Sequence, residues 1–208
     1  MFIKILFSDP QMFFTLLVIV VFSICLHEYC HALVAYKCGD PTAAEHGHLT
    51  LNPMKQMGLL SLVMLCFIGF AWGQIPVNQE NLKTKSAKIF TSLAGPAANF
   101  MLSILFAALG IAGMLANANM FAVNMIFYGS VINMMLTIFN LLPVPGLDGW
   151  NILRVFWKGD LNATPEFVKG IFLILVMLLF AFFNLIFAAA EHSVRFLVSL
   201  MLKLGGLE

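Results

Sequence analysis

The feature that most constrains this chain is an apolar stretch from Met12 to Tyr36 that contains His27-Glu28-Tyr29-Cys30-His31. A helix of about 25 residues is long enough to cross the hydrocarbon core of a bilayer, which is roughly 30 Å thick. Ionisable side chains at that depth are costly and are rarely kept without a function. The sequence therefore predicts a membrane-spanning helix with a polar site inside it.

The composition of the whole chain favours the same class of protein. Of its 208 residues, 61% are hydrophobic and 10% are charged, whereas roughly a quarter of the residues of a soluble domain are charged. We therefore predict an integral membrane protein. The net charge of +1 gives no strong field for nucleic acid, so we expect membrane proteins and membrane lipid as partners and no nucleic acid.

The two histidines and the glutamate form an HExxH motif with a specific chemistry. A spacing of four places His27 and His31 on one face of a helix, where neutral imidazoles can bind zinc. Glu28 follows directly and can act as a general base toward a water molecule. This pattern predicts peptide hydrolysis within a bilayer, and the alternative is a buried polar cluster that binds no metal.

A third ligand is predicted from the segment 140–149, where Pro143, Pro145, Gly146 and Gly149 interrupt the fourth apolar run. These residues end a helix and allow a loop to carry Asp148 back toward the bundle. Two histidines and one carboxylate form a common catalytic zinc set. The alternative is an aspartate that only stabilises the turn before Gly149.

The apolar runs predict an all-α, polytopic helical bundle, and they lie at residues 11–37, 57–72, 89–116, 121–142 and 167–190. If Asp148 reaches the depth and side of His27, the run 57–72 cannot cross the membrane once, and its 16 or so residues are short for a span. We predict about four full spans plus a re-entrant or interfacial segment at 57–72. Alternating residues also predict a short β-like stretch near residues 47–53, which could pair with a substrate strand.

The chain is predicted to be one membrane-embedded domain, 1–208, with a core at about 11–155. A C-terminal span at 167–190 and an amphipathic interfacial tail at 191–208 complete it. We interpret His46 and His48 as loop residues rather than ligands. Asn99 is expected to bond a neighbouring helix.

The distribution of basic residues predicts the orientation. The side reached by the C-terminal end of the first span carries Lys37, Lys55, Lys83, Lys85, Lys88, Arg154, Lys158 and Lys169, and the other side carries Lys4, Arg195 and Lys203. By the positive-inside rule, the first of these sides is cytoplasmic. We therefore expect a multi-pass protein of a bacterial or archaeal cell membrane, with its active site nearer the cytoplasm.

Four segments together resemble the site-2 protease family, the intramembrane zinc metalloproteases. They read HEYCHALVAYKCGDPTA from His27, GHLTLNP from Gly47, SLAGPAANF from Ser92 and FNLLPVPGLDGWNILR from Phe139. The chain resembles a compact form of the family without PDZ or CBS domains. It departs from the usual pattern at His48, where the family commonly has an arginine.

The resemblance implies a fold and a set of roles. It implies a three-helix core in which His27, His31 and Asp148 hold zinc (Zn2+), Glu28 acts as the base and Asn140 lies near the substrate's scissile segment. The implied substrates are transmembrane or membrane-anchored proteins. The expected activity is thus that of an intramembrane zinc endopeptidase, and the alternative is a non-catalytic membrane binding protein that retains a metal site.

Overall fold

The computed structural model describes residues 2–157 and 165–206, and within residues 165–182 it describes only the course of a helix. The described part is helical and contains no strand. Its helices are α1 (Ile3–Ser8), α2 (Pro10–Lys37), α3 (Thr42–Glu45), α4 (Pro53–Gln56), α5 (Gly58–Ile68), α6 (Lys85–Leu115), α7 (Met120–Asn140), α8 (Asp148–Phe156) and α9 (Pro165–Leu204).

Four of the described helical segments are long and apolar enough to cross a membrane. They are Pro10–Lys37, Lys85–Leu115, Met120–Asn140 and Phe183–Leu204. This confirms the predicted all-α, multi-pass bundle. Many large apolar side chains on these helices are exposed, as lipid-facing residues of a membrane bundle are, and examples are Phe14, Val18, Met101 and Leu105.

The last helix differs from the prediction in where it ends. We expected a span at 167–190 followed by a separate amphipathic tail, but α9 continues without a break from Pro165 to Leu204. No glycine or proline lies between Gly170 and Gly205 to interrupt it. Its charged residues Glu191 and Arg195 form an ion pair of 2.6 Å one turn apart, which lowers the cost of keeping them in an apolar helix. The side chains of 167–182 and residues 207–208 lie outside the described residues.

The short helix α5 is the predicted re-entrant element. It has 11 residues, which as helix is only about 16 Å. It packs against α2 through an apolar cluster that includes Ile24, Met57 and Leu65. Gly69, with φ of +87°, ends the helix beside Phe2. At this point the chain reverses direction because a left-handed glycine closes the last turn.

Residues 70–78, which we call the return segment, run back along α5. The Ser61 hydroxyl donates to the Trp72 carbonyl at 2.7 Å and accepts from the Trp72 N–H at 2.9 Å, and the Gln74 N–H donates to the Gln56 carbonyl at 3.0 Å. The segment ends at Asp40, just after α2, where the carboxylate accepts from the Asn78 N–H at 2.8 Å. The segment that contains α5 therefore begins and ends at the same end of α2.

Asp40 is fully buried and fixes the end of the return segment. Besides Asn78, it accepts hydrogen bonds from Thr42 and from the Asn81 side chain, at 2.9 Å for the latter. Burial alone would raise the pKa of Asp40, but the hydrogen bonds from Thr42, Asn81 and Asn78 outweigh it and lower the pKa below its ordinary value. The carboxylate is therefore ionised where it anchors the loop.

The prediction of a β-like stretch near residues 47–53 is wrong. Residues 48–52 form an irregular loop between α3 and α4. The Gln56 side chain donates to the His48 carbonyl at 2.9 Å and to the Thr50 carbonyl at 2.5 Å. Since the Gln56 side chain of α4 already bonds these carbonyls, they are not free to pair with another strand.

Helices α2, α6 and α7 form the core that positions the site, and buried polar groups join them. Asn133 of α7 donates to the Ser23 hydroxyl of α2 at 2.9 Å. Ser103 and Ser130 bond each other's backbone carbonyls between α6 and α7, at 2.9 and 2.8 Å. Small and polar residues of this kind hold membrane helices together because lipid gives no hydrophobic drive for their association.

Candidate metal centre

The histidines of the HExxH motif lie side by side in the middle of the bundle. His27, Glu28 and His31 are all buried on α2. One helical turn separates the two imidazoles, and their Nε2 atoms are 3.0 Å apart. The spacing of four in the sequence is sufficient to explain this pairing.

Asp148 reaches the histidines by way of the break after α7. Helix α7 ends at Asn140, residues 141–147 form a tight turn, and α8 begins at Asp148. A side chain on Gly149 would overlap the Leu141 and Leu142 carbonyls, so glycine allows α8 to start directly against this turn. The Asp148 Oδ2 atom lies 3.2 Å from the Nε2 atoms of both His27 and His31.

The charge of Asp148 suits a metal ligand. Burial alone would raise the pKa of this carboxyl, but hydrogen bonds with His27 and His31 lower it to about 2. The group is therefore a carboxylate at neutral pH. Metals bind the deprotonated form.

The three facing atoms have the geometry of a zinc site. Their separations are 3.0, 3.2 and 3.2 Å. In tetrahedral zinc sites with bonds of about 2.0–2.1 Å, neighbouring ligand atoms are about 3.3 Å apart. His27, His31 and Asp148 could thus hold a zinc ion from one side, and a tetrahedral ion would then have a fourth position for a reactant.

The outer nitrogens of the imidazoles are held by α6. His31 Nδ1 lies 2.6 Å from the Thr91 carbonyl. A carbonyl can only accept, so Nδ1 carries the hydrogen and Nε2 keeps its lone pair for a metal. This contact fixes the protonation state that a zinc ligand requires.

Asn99 has the same role for His27. Its amide lies 3.1 Å from His27 Nδ1, and its Oδ1 atom is buried without a partner among the described residues. If His27 binds metal through Nε2, Nδ1 carries the hydrogen, and the Asn99 amide turned over accepts it on Oδ1. With a metal bound, the otherwise unpaired oxygen would then gain a partner. As predicted, Asn99 bonds a neighbouring helix.

Gly95 is a site residue that sequence reasoning missed. A β-carbon at this position would overlap the facing atoms of His27 and His31. The backbone of α6 can approach the two imidazoles this closely only because residue 95 has no side chain. The available signal was the spacing of Thr91, Gly95 and Asn99, which puts them on one face of α6.

Gly73 is the second missed residue, and it lies on the other side of α2. A β-carbon on Gly73 would overlap the Glu28 side chain. The return segment therefore passes directly over the carboxylate. No local pattern in the sequence indicates this contact, since it depends on how α5 packs and how the chain reverses after it.

The remaining predicted residues lie apart from the three ligand atoms. The Asn140 amide donates to the Leu136 carbonyl at 3.0 Å and makes no hydrogen bond to the cluster among the described residues. His46 bonds the Thr42 carbonyl at 2.8 Å, and His48 also lies outside the cluster. The role of Asn140 stays a prediction.

A multi-pass helical membrane protein with a His-His-Asp cluster and an adjacent glutamate belongs, by its fold and site, to the class of membrane metalloproteases. The comparison with protein families agrees. The model of Peptidase family M50 matches residues 15–120 and 111–184. The chain therefore belongs to this family, and the resemblance to the site-2 proteases is confirmed.

Curated relatives support the same assignment. The chain is 37% identical over 157 residues to the "Putative zinc metalloprotease YwhC" of Bacillus subtilis, covering 70% of this chain and 68% of the relative. It is 34% identical over 191 residues to the "Putative zinc metalloprotease Rip2" of Mycolicibacterium smegmatis, covering 82% of this chain and 71% of the relative. No solved structure matches the chain significantly. The protein is a zinc metalloendopeptidase of a membrane, and zinc is its cofactor.

Proposed function

We propose that this protein hydrolyses peptide bonds within or next to transmembrane segments of membrane proteins, as in regulated intramembrane proteolysis. The observation that supports this most is that His27 and His31 lie inside an apolar spanning helix and that Asp148 comes within 3.2 Å of both. His31 lies six residues and His27 ten residues before the end of α2 at Lys37. At 1.5 Å per residue, the cluster is about 9–15 Å inside that end.

The proposed roles follow from the chemistry of each group. His27, His31 and Asp148 hold the metal. Zinc in such a site polarises a carbonyl group and lowers the pKa of water toward 7. Glu28 removes a proton from the attacking water and returns it to the departing amine, as a general base and then a general acid.

The substrate must change its backbone before it can be cut. A transmembrane helix has its carbonyls bonded internally, so a few residues must unwind, and the freed groups need new partners in the protein. Asn140 is proposed as one such partner, because its carboxamide oxygen accepts no hydrogen bond from the described residues. It stands at the end of α7, directly before the turn that carries Asp148.

The proposed orientation places the cluster nearer the cytoplasm of a bacterial or archaeal cell membrane. The side of the membrane reached by the end of α2 nearer the histidines is predicted to carry more basic residues than the opposite side. The positive-inside rule makes that side cytoplasmic. Water for hydrolysis then enters from the cytoplasmic side. A map of cysteine accessibility in sealed cells, with the exposed positions 46 and 80 expected on the same cytoplasmic face, tests this orientation.

The function is tested by reconstituting the whole protein in vesicles with a designed single-span substrate. We expect Glu28→Gln to retain zinc and to lose about 10²–10⁴-fold in turnover, since general acid–base catalysis contributes that much. Glu45→Gln is the matched control, because it makes the same chemical change at an exposed carboxylate outside the cluster. A zinc-loaded wild type that cleaves no substrate in a varied panel would overturn the proposal and favour a non-catalytic binding protein.

A further inference from the structure

A cavity that is open to the surface, and that is lined mainly by charged and polar side chains, lies where the start of α6 meets the end of α8. It has a volume of about 310 Å³, within the usual range of about 300–1,000 Å³ for small-molecule sites. Its lining includes Lys83, Lys85, Lys88 and Arg154. We call it the basic cavity, and it contains none of the proposed metal ligands.

Within the described part of the chain, no carboxylate balances the charge of the basic cavity. The lining contains no carboxylate. Among the described residues, none of its four cations is in an ion pair. Four positive charges around one small cavity repel one another, and an anion in the cavity would convert this repulsion into attraction.

The helix start adds an independent preference for an anion. Lys85 and Lys88 stand in the first turn of α6, and this turn contains no acidic residue. The N-terminus of a helix carries partial positive charge, so cations are unfavourable there and anions are favourable. The 31-residue helix α6 therefore starts with charges opposite to those that would stabilise it.

The surroundings of the basic cavity indicate its depth in the membrane. Phe156 and Trp157 at the end of α8 and Phe90 in α6 are all more than half exposed. Aromatic side chains are enriched at the level of the lipid headgroups. The exposed Trp157 at the end of α8 favours a position of the cavity near the lipid phosphates.

We propose that the basic cavity binds a phosphate-bearing anion, either the headgroup of an anionic lipid or a free phosphate. Arg154 can form paired hydrogen bonds with phosphate oxygens, and the lysines supply point charges. Because Arg154 and Asp148 lie on the same nine-residue helix, an anion held between Lys88 and Arg154 would tie α8 to α6. Binding would thereby stabilise the helix that carries the proposed third metal ligand.

The test uses the whole protein and two kinds of probe. Native mass spectrometry counts the phosphatidylglycerol molecules retained by the folded protein against phosphatidylcholine, and thermal unfolding is compared in phosphate and in chloride at equal ionic strength. The variant Lys88→Gln/Arg154→Gln removes one cation from each side of the cavity. The control Lys37→Gln/Lys55→Gln removes two exposed lysines outside the cavity from the same predicted side of the membrane.

We expect the cavity variant to bind the anion about 25-fold more weakly, since each of the two basic residues removed contributes about a fivefold factor. We expect the control to resemble the wild type. Retention of phosphatidylglycerol alone identifies a lipid as the source, and stabilisation by phosphate alone identifies a free anion. Equal losses in the two variants, or no preference of the wild type for either anion, would overturn the proposal. Because only folded protein is counted and no step measures cleavage, the result is independent of the proposed proteolysis.

Discussion

The HExxH motif of α2 lies between two surfaces that are built differently. On one side is the α6 face, formed by Thr91, Gly95 and Asn99, which touches both imidazoles. On the other side is the return segment, residues 70–78, which covers Glu28 through Gly73. The first surface contacts the groups that would hold the metal, and the second contacts the group that would move the proton.

The two surfaces also differ in how they are held. The α6 face belongs to a helix of 31 residues that packs against both α2 and α7. The return segment is irregular and is held by hydrogen bonds with Ser61, Gln56 and Asp40, of which the last two only accept. Segments held by few hydrogen bonds open at lower free energy than packed helices. We therefore expect the metal side to be rigid and the base side to admit the substrate.

We expect the largest effect from a substitution in the α6 face. Gly95→Ala places a methyl group against His27 and His31, so the imidazoles must move away from Asp148. We expect a loss of zinc affinity of at least about 100-fold, as for a disrupted ligand set, together with loss of cleavage. Metal analysis after dialysis against a zinc buffer measures this. Gly113→Ala, at the other end of α6, is the control, and a Gly95→Ala protein with full zinc would contradict the account.

The matching substitution in the return segment tests whether the two surfaces act separately. Gly73→Ala places its methyl group against Glu28, whose atoms are its nearest neighbours, and so displaces the base rather than a proposed ligand. We expect full zinc content and a loss of about 100-fold in turnover, since a misplacement of about 1 Å can cost that much. Turnover and zinc content are measured on one preparation. Loss of zinc in this variant would show that the two surfaces are not separate.

A smaller effect is expected from Asn99→Ala. This change removes the partner of His27 Nδ1 and leaves all three proposed ligands in place. Loss of such outer partners typically weakens metal binding by about 10–100-fold. Competition with a chelator of known affinity measures the change. Asn99→Asp retains an acceptor for the Nδ1 hydrogen and should restore binding, and an unchanged affinity in Asn99→Ala would contradict the assigned role.

The smallest effect on cleavage is expected from Asp40→Asn, which weakens the anchor of the return segment. Because the folded-state pKa of Asp40 is lowered, its contribution to stability is present above its unfolded pKa of about 3.9 and is lost as the pH falls through the folded pKa. We expect the variant to be less stable by about 1.5–3 kcal/mol at neutral pH. The difference should shrink in acid, and thermal unfolding across pH measures it. A difference that is constant across pH would contradict this role.

Much of the fold follows from the sequence because its causes are local. Run length predicts the spans, and a spacing of four pairs His27 with His31. The interruption by proline and glycine, together with the need for a third ligand, predicts the return of Asp148. The shortness of residues 57–72 predicts that α5 does not cross.

The rest depends on contacts between distant segments. Gly73 meets Glu28 only because α5 packs on α2 and the chain reverses at Gly69. The alternation at 48–52 indicates a strand, but the Gln56 side chain bonds two of its carbonyls. Such long-range hydrogen bonds override a local pattern, and one sequence does not reveal them.

The most direct test of the central claim is to find which bond of a single-span substrate is cut, by mass spectrometry of both products. A cluster about 9–15 Å inside the membrane end of α2 predicts cleavage within about ten residues of the cytoplasmic end of the substrate's apolar segment. The products should form about 10²–10⁴-fold more slowly with Glu28→Gln and at the wild-type rate with Glu45→Gln. Cleavage only in a soluble part of the substrate, far from its apolar segment, would contradict the claim.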